Sequence, residues 1–160
     1  MREKAEKTNA MRALERLKLE YTVHTYGDGE AISGVEVARL LGQDEKRVFK
    51  TLVTEGKSRA HYVFMIPVAE ELDLKKAAAC VGEKALSMLK SKELLPLTGY
   101  VHGGCSPIGM KKPFRTVAHE TAGDFDTIFF SAGKIGLQIQ TSLENLSKAV
   151  KIELADVIAQ

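Results

Sequence analysis

Residues 48–66 read VFKTLVTEGKSRAHYVFMI. Two runs, Val48 to Thr54 and His61 to Ile66, are rich in β-branched and aromatic side chains and flank Glu55-Gly56-Lys57-Ser58. Strand formers on both sides of a short glycine-containing turn read as a β-hairpin, and a hairpin is antiparallel by construction. Upstream, Ser33-Gly34-Val35-Glu36 has the form of a capping box, so a helix is expected to follow. Val37, Leu40 and Leu41 supply its apolar face, Gly42 stands where it should stop, and Asp44 to Arg47 makes one more helical turn. Farther back, Thr8 can cap a helix running to about Lys18, with Met11, Leu14 and Leu17 at helical spacing. Tyr21 to Tyr26 then alternates like a strand before the turn Gly27-Asp28-Gly29.

Downstream, Asp73 can cap a helix from Leu74 to about Cys80 that Gly82 closes. Ser91 starts a short helix expected to end before Pro96. Thr98 to Pro113 holds Gly99, Gly103, Gly104 and Gly109 with Pro107 and Pro113, which reads as a shaped loop. Thr127 to Ser131 and Leu137 to Gln140 read as strands around Ala132-Gly133-Lys134-Ile135-Gly136, and Ser142 caps a last helix to about Val150. Strands and helices intersperse without a regular βαβ repeat. The expected fold is α+β, with a curved, mostly antiparallel sheet or barrel.

The 160 residues suit one domain, residues 1–160, and the hydrophobic fraction of 44% excludes a disordered or fibrous protein. No apolar run approaches the roughly 20 residues needed to cross a bilayer. The start, Met1 to Lys7, is charged and lacks the apolar stretch of a signal peptide, so a cytoplasmic location is expected. A formal net charge of +2 excludes a bulk electrostatic DNA binder but leaves room for a local basic patch. The two cysteines, Cys80 and Cys105, form no CxxC pair and suit a reduced compartment. His24, His61, His102 and His119 show no HxH or HExxH arrangement, so no metal site is assigned. No paired-carboxylate motif stands out either.

Candidate chemistry gathers at a few positions. Neighbouring side chains on a strand point to opposite faces, so Phe49 and Lys50 do not both face the core. A Lys50 ammonium turned into a cavity becomes a strong donor to a ribose hydroxyl, a phosphate or a developing oxyanion; otherwise it is a solvated strand residue. In Gly103-Gly104-Cys105-Ser106-Pro107, consecutive glycines let the backbone approach a ligand, and free N–H groups make an anion nest; the alternative is an ordinary tight turn. Ser131 to Gly136 resembles a phosphate loop only superficially, because its spacing is not that of a P-loop and a strand follows it; Ser131 and Lys134 can still reach a polyanion. Lys111, Lys112 and Arg115 form a basic run that is either a solvated face or a grip on a nucleic-acid backbone. Cys105 is read as a small packed side chain rather than a nucleophile, and Cys80, after three alanines, as core.

Five stretches in this order, KTNAMRALERLKLEYTVHTY, VFKTLV, PVAEELDLKKAA, LTGYVHGGCSPIGMKK and SAGKIGLQI, resemble the YbaK/EbsC family of free-standing Cys-tRNA(Pro) deacylases. The resemblance runs from about Thr8 to Ile158. It implies a mixed, largely antiparallel, barrel-like sheet surrounded by helices, related to the editing domain inserted in some prolyl-tRNA synthetases. It implies hydrolysis of the ester joining a wrong amino acid, cysteine, to the 3′ end of tRNA(Pro), and of Cys-tRNA(Cys) in broader members. The implied mechanism is attack by the substrate's own thiol on its ester carbonyl, with the protein supplying orientation. Lys50 would fix the terminal ribose or polarise the carbonyl, and amides near Gly103 would steady the oxyanion.

The same resemblance places Tyr26, Ile32, Thr51, Gly104, Ser131 and Gln138 around the substrate and Lys111, Lys112 and Lys134 toward the tRNA. It implies no cofactor, the aminoacylated 3′ end of tRNA as partner, and a working complex with prolyl-tRNA synthetase. Three positions depart from the family pattern. Ile135 stands where many members are basic, Gln138 where some are acidic, and Cys105 where many are aliphatic. The rival readings are an Ala-tRNA(Pro) deacylase that uses a bound water, and a non-catalytic module that binds an aminoacyl or nucleotide ligand.

Overall fold

The computed structural model describes residues 7–160, and the first six residues of the charged start lie outside the described ones. The hairpin forms where expected. β2 (Phe49–Gly56) pairs antiparallel with β3 (His61–Pro67), with Lys50 opposite Ile66 and Thr51 opposite Met65. Its turn closes through the Arg59 N–H on the Gly56 carbonyl, with Arg59 at φ 78°. Ahead of it lie α1 (Asn9–Arg16), β1 (Thr22–Thr25) and α2 (Gly34–Leu41). After it come α3 (Leu74–Val81), β4 (Leu86–Met88), α4 (Ser91–Thr98) and β5 (Arg115–His119). The chain ends with β6 (Ile128–Ser131), β7 (Leu137–Thr141), α5 (Leu143–Ala149) and β8 (Ile152–Ala155).

The caps work as the sequence suggests. Thr8, Ser33 and Ser142 each accept a backbone N–H three residues on, and Asp73 accepts those of Lys75 and Lys76. Gly42 and Gly82 close α2 and α3 in the left-handed conformation. Other expectations need correcting. The first helix stops at Arg16, because Lys18 turns to φ 58° and sends the chain toward β1. The apolar face of α2 is Val37, Ala38 and the partly buried Leu41, while Leu40 stays 46% exposed. α4 runs through Pro96 to Thr98; the Thr98 hydroxyl bonds the Leu94 carbonyl and the Gly99 N–H bonds that of Leu95, which satisfies the helix end despite the lost proline donor.

The strands form two sheets, ordered β1-β7-β6 and β4-β2-β3-β5-β8. Four of the six pairings are antiparallel; β3–β5 and β5–β8 are parallel. The expected mixed, largely antiparallel arrangement with helices around it is present, and the sheets stop short of a closed barrel. The two sheets meet through the isolated bridge between Val48 and Phe129. Arg47 secures that seam: its guanidinium donates to the carbonyl and hydroxyl of Thr127 and lies 5.3 Å from the centre of the Phe129 ring. Phe49, Met65, Phe130, Ile139, Leu14 and Leu146 fill the largest core cluster. A second cluster packs Phe64, Ile66 and Val117 against Ala77, Ala78 and Val81 of α3.

Tyr100 organises the glycine-rich loop. Its ring is buried and its hydroxyl donates to the Ile108 carbonyl at 2.7 Å. A Cβ at Gly133 would stand 2.7 Å from the ring, and one at Gly109 would stand 2.7 Å from the hydroxyl oxygen. Both glycines also have φ above +70°, at 100° and 76°. Gly133→Ala is expected to lose about 2–4 kcal/mol from the clash and the strained backbone. Tyr100→Phe, which only orphans a carbonyl, is expected to lose about 1 kcal/mol. Urea unfolding of the two variants checks both values and their order.

Candidate functional site

β2 is a strand whose far edge is covered at both ends and open between. The Gly56 N–H bonds the Ala60 carbonyl and the Val68 N–H bonds the Val48 carbonyl, so even-numbered residues of this stretch bond toward β3. Odd-numbered residues therefore aim their N–H and C=O the other way. At one end β4 takes them: it pairs with Thr54, Glu55 and Gly56, and the Leu89 N–H reaches the Val53 carbonyl. At the other end β6 approaches through the bridge at Val48. Continuing the β4 register would place Ser91 opposite Thr51, but the chain turns into α4 there. The open edge at Thr51 lines a cleft of about 550 Å³.

Pleating decides which side chains enter from which side. Val48, Lys50 and Leu52 share one face of β2, and Phe49, Thr51 and Val53 share the other. The bridge at Val48 and Phe129 makes the first face continuous with Ser131, which pairs with Gln138, which pairs with His24. Lys50, Ser131 and Gln138 thus rise from one composite floor. α2 borders it through Ser33, Gly34, Val35 and Val37. Gly34 must be glycine, since a Cβ there would lie 2.6 Å from Val68. On the opposite face of β2, Val53, Leu94 and Cys105 form an apolar wall.

The cleft brings together seven of the residues singled out from sequence: Tyr26, Ile32, Lys50, Thr51, Gly103, Ser131 and Gln138. Lys50 is half-buried, and desolvation pushes its ammonium below the usual lysine range, with Glu71 and Glu70 pulling the other way. The Ser131 hydroxyl accepts the Gly133 N–H at 3.1 Å. Gln138 is 6% exposed and its Oε1 has no partner among the described residues; the buried Thr51 hydroxyl has none either. Such groups await a ligand or water. Burial pushes the Cys105 thiol up to about 12, so it stays protonated near neutrality.

Three loops meet at the mouth. Gly103, at φ 86°, packs against Ala31 and Ile135, and Gly104 sits where a Cβ would be 3.0 Å from the Ile135 nitrogen. The Gly104 N–H bonds the Val101 carbonyl, which closes the turn. Gly104 thus lies behind the lining and shapes the turn, while Gly103 fronts it. Lys111, Lys112 and Lys134 are exposed outside the lining; Lys111 Nζ donates to the Pro96 carbonyl at 3.3 Å. Arg115 leaves the basic run altogether, held by Glu153 and by the last carbonyls of α3. Sequence reading missed the walls from α2, Met88 and Leu94, since they depend on β4 and on contacts distant in sequence. A larger, shallower hollow of about 680 Å³ near Glu20, Thr127 and Asn145 contains none of these residues. Its polar groups bond one another, as Thr141 and Asn145 do with the Glu20 carbonyl.

Comparison with known proteins places this geometry. The family model described as the aminoacyl-tRNA editing domain matches residues 30–149, a span that includes Ile32, Lys50, Thr51, Gly103, Ser131 and Gln138. A protein of Enterococcus faecalis named as the Cys-tRNA(Pro)/Cys-tRNA(Cys) deacylase EbsC is 43% identical over 95% of this chain and 93% of its own length. A proline–tRNA ligase of Pelobacter propionicus is 31% identical over 72% of this chain, which spans 20% of the ligase. A crystal structure described as a trans-editing enzyme for prolyl-tRNA synthetase superposes with a TM-score of 0.85 at 23% identity, covering 98% of this chain and 100% of the other. A lysine-bearing strand edge, a glycine turn that fronts it and a matching family model over most of the chain lead to one assignment: the chain belongs to the aminoacyl-tRNA editing domain family.

Proposed function

We propose that this chain, one editing domain over residues 1–160, deacylates cysteinyl-tRNA in trans. Cys-tRNA(Pro) is its main substrate and Cys-tRNA(Cys) a second. The observation that carries this reading is that the cleft can position and polarise an ester while its own thiol is held protonated: Cys105 is buried, and Lys50 stands half-buried on the opposite face of the same strand. A substrate that brings its own thiol suits such a site. The 43% identity to the Enterococcus faecalis deacylase supports the same substrate class.

The reaction needs no protein nucleophile. The cysteine thiolate attacks its own ester carbonyl, forming a C–S bond in a cyclic thioester while the carbonyl's bond to the ribose oxygen breaks. The ribose oxygen takes up a proton, and water later opens the thioester. Lys50 stabilises the developing charge on the carbonyl or ribose oxygen, and the Gly103 amide assists from the turn. Holding sulfur and carbonyl carbon together supplies most of the rest. Tyr26 and Ile32 enclose the amino acid, and Ser131 and Gln138 offer it polar contacts from the floor. Lys134, and farther out Lys111 and Lys112, approach the phosphates of the tRNA end. The work belongs in the cytoplasm beside prolyl-tRNA synthetase, which makes the error; among the described residues no helix is long and apolar enough to cross a membrane.

Radiolabelled Cys-tRNA(Pro), Ala-tRNA(Pro) and Pro-tRNA(Pro) test the reading. The expected result is rapid loss of cysteine alone, with Lys50→Ala lowering kcat by about 10²-fold and Cys105→Ser retaining at least roughly a tenth of it. Loss of alanine would instead mark a water-using editor, and loss of neither a binding module. The pH profile of kcat, corrected for spontaneous hydrolysis, gives a second check. It should rise as the substrate thiol ionises and fall as Lys50 loses its proton. Because burial lowers the Lys50 pKa, the falling limb should lie below the ordinary lysine range. Lys50→Arg, always protonated, should remove that limb; an unchanged profile would deny Lys50 its cationic role.

A further inference from the structure

The opening in the edge of β2 has a definite chemical form. Odd-numbered residues there face away from β3; β4 occupies the edge from Val53 onward, and β6 approaches at Val48. What remains is centred on Thr51, which lines the cleft and whose N–H and C=O, by the same alternation, aim away from β3 toward that side. A donor and acceptor beside each other at a strand edge with no ladder partner are matched by a group presenting the reverse pair.

An aminoacyl ester presents that pair. Its carbonyl oxygen accepts and its α-ammonium donates, with the same spacing as the C=O and N–H of one residue in a chain. Resting on the deacylase reading above, we propose that the substrate's amino acid docks as a one-residue antiparallel strand on β2. Its ester carbonyl accepts the Thr51 N–H and its α-ammonium donates to the Thr51 C=O. This is strand addition reduced to a single residue.

The placement fixes where the substrate's side chain goes. Residues opposite each other in an antiparallel pair project to the same face. The side chain of an L-amino acid docked on Thr51 therefore enters the face of Thr51 and Val53, against Leu94 and Cys105. That wall is apolar and suits a small side chain such as cysteine's. The carbonyl stays at the strand edge, where the Thr51 N–H and the Gly103 turn approach it from two sides and Lys50 lies on the far face. Thr51 then contributes through its backbone, and its hydroxyl, which has no partner among the described residues, is left over for a water.

Two changes at position 51 share only the loss of this N–H. One is Thr51→Pro, acceptable at an edge because the ladder to β3 does not use that N–H. The other replaces the threonine by its α-hydroxy acid, turning the amide into an ester. Thermal melts establish that each variant is folded. The expected result on Cys-tRNA(Pro) is a fall in kcat of about 10²-fold in both. A folded variant within threefold of wild type would overturn the proposal. The α-ammonium is tested from the substrate side with tRNA(Pro) carrying a 3-mercaptopropionyl ester, which keeps the thiol and lacks the amine. Wild-type acceleration over the spontaneous rate should fall at least tenfold relative to the cysteinyl ester, and equal acceleration of the two would overturn the proposal. If wild type releases no cysteine at all, the deacylase reading fails first and this docking mode falls with it.

Discussion

Everything at this site depends on one strand having two different neighbours along the same edge. A strand in the middle of a sheet has all its N–H and C=O groups paired, and a true edge strand exposes a whole row of them. β2 does neither. β4 covers its C-terminal half, and β6, from the other sheet, approaches its N-terminal end. A closed barrel would have filled the gap with a continuous ladder and left no strand edge facing the ligand. The incomplete closure is therefore what makes room for a cleft. It also keeps the opening short enough to be shielded from edge-to-edge pairing with another chain.

Holding that gap open falls to loops rather than to the sheet. Tyr100 is wedged between Gly109 and Gly133, and its hydroxyl bond to the Ile108 carbonyl fixes the two arms of the glycine-rich segment relative to each other. Gly104 then lies directly on the backbone at Lys134 and Ile135, so the turn bearing Gly103 packs against the turn between β6 and β7. The hydroxyl of Thr8 adds a tie from the start of α1 to the Ala132 carbonyl. On the proposed thiol-assisted reading, rigid positioning matters more than in a site with a strong nucleophile, because orientation is most of what the protein would supply.

Local patterns were legible in the sequence, and non-local pairings were not. The hairpin, the four caps at Thr8, Ser33, Asp73 and Ser142, and the stops at Gly42 and Gly82 all depend on neighbours within a few residues, and each could be read. β4, β5 and β8 are short runs with weak periodicity, made strands by partners up to dozens of residues away. Missing β5 and β8 hid the parallel half of the larger sheet. Missing β4 hid the opening itself. At the site, Lys50 and Gly103 stood out from residue type and family resemblance, but the common floor of Lys50, Ser131 and Gln138 needed the bridge between the sheets. Arg115 misled because its charge pattern resembles that of Lys111 and Lys112, while its partner, Glu153, lies on β8.

Whether one half-buried lysine is enough can be judged by magnitude. A factor of 10² in rate asks for about 2.7 kcal/mol of preferential stabilisation. A unit charge about 4 Å from a full oxyanion interacts by roughly 4 kcal/mol at the effective dielectric of a partly buried site, against about 1 kcal/mol in bulk water. Lys50 sits between Val48 and Leu52 on its own face of β2, and desolvation is the largest influence on its pKa, so the partly buried regime applies. The same desolvation makes the ammonium a stronger acid and hence a better hydrogen-bond donor to an oxygen whose charge is growing. Glu70 and Glu71 limit that shift and favour the cationic form. An aminoacyl ester whose own thiol attacks needs no more from the protein than this donor, a second one from the backbone, and a pocket that holds sulfur and carbonyl together.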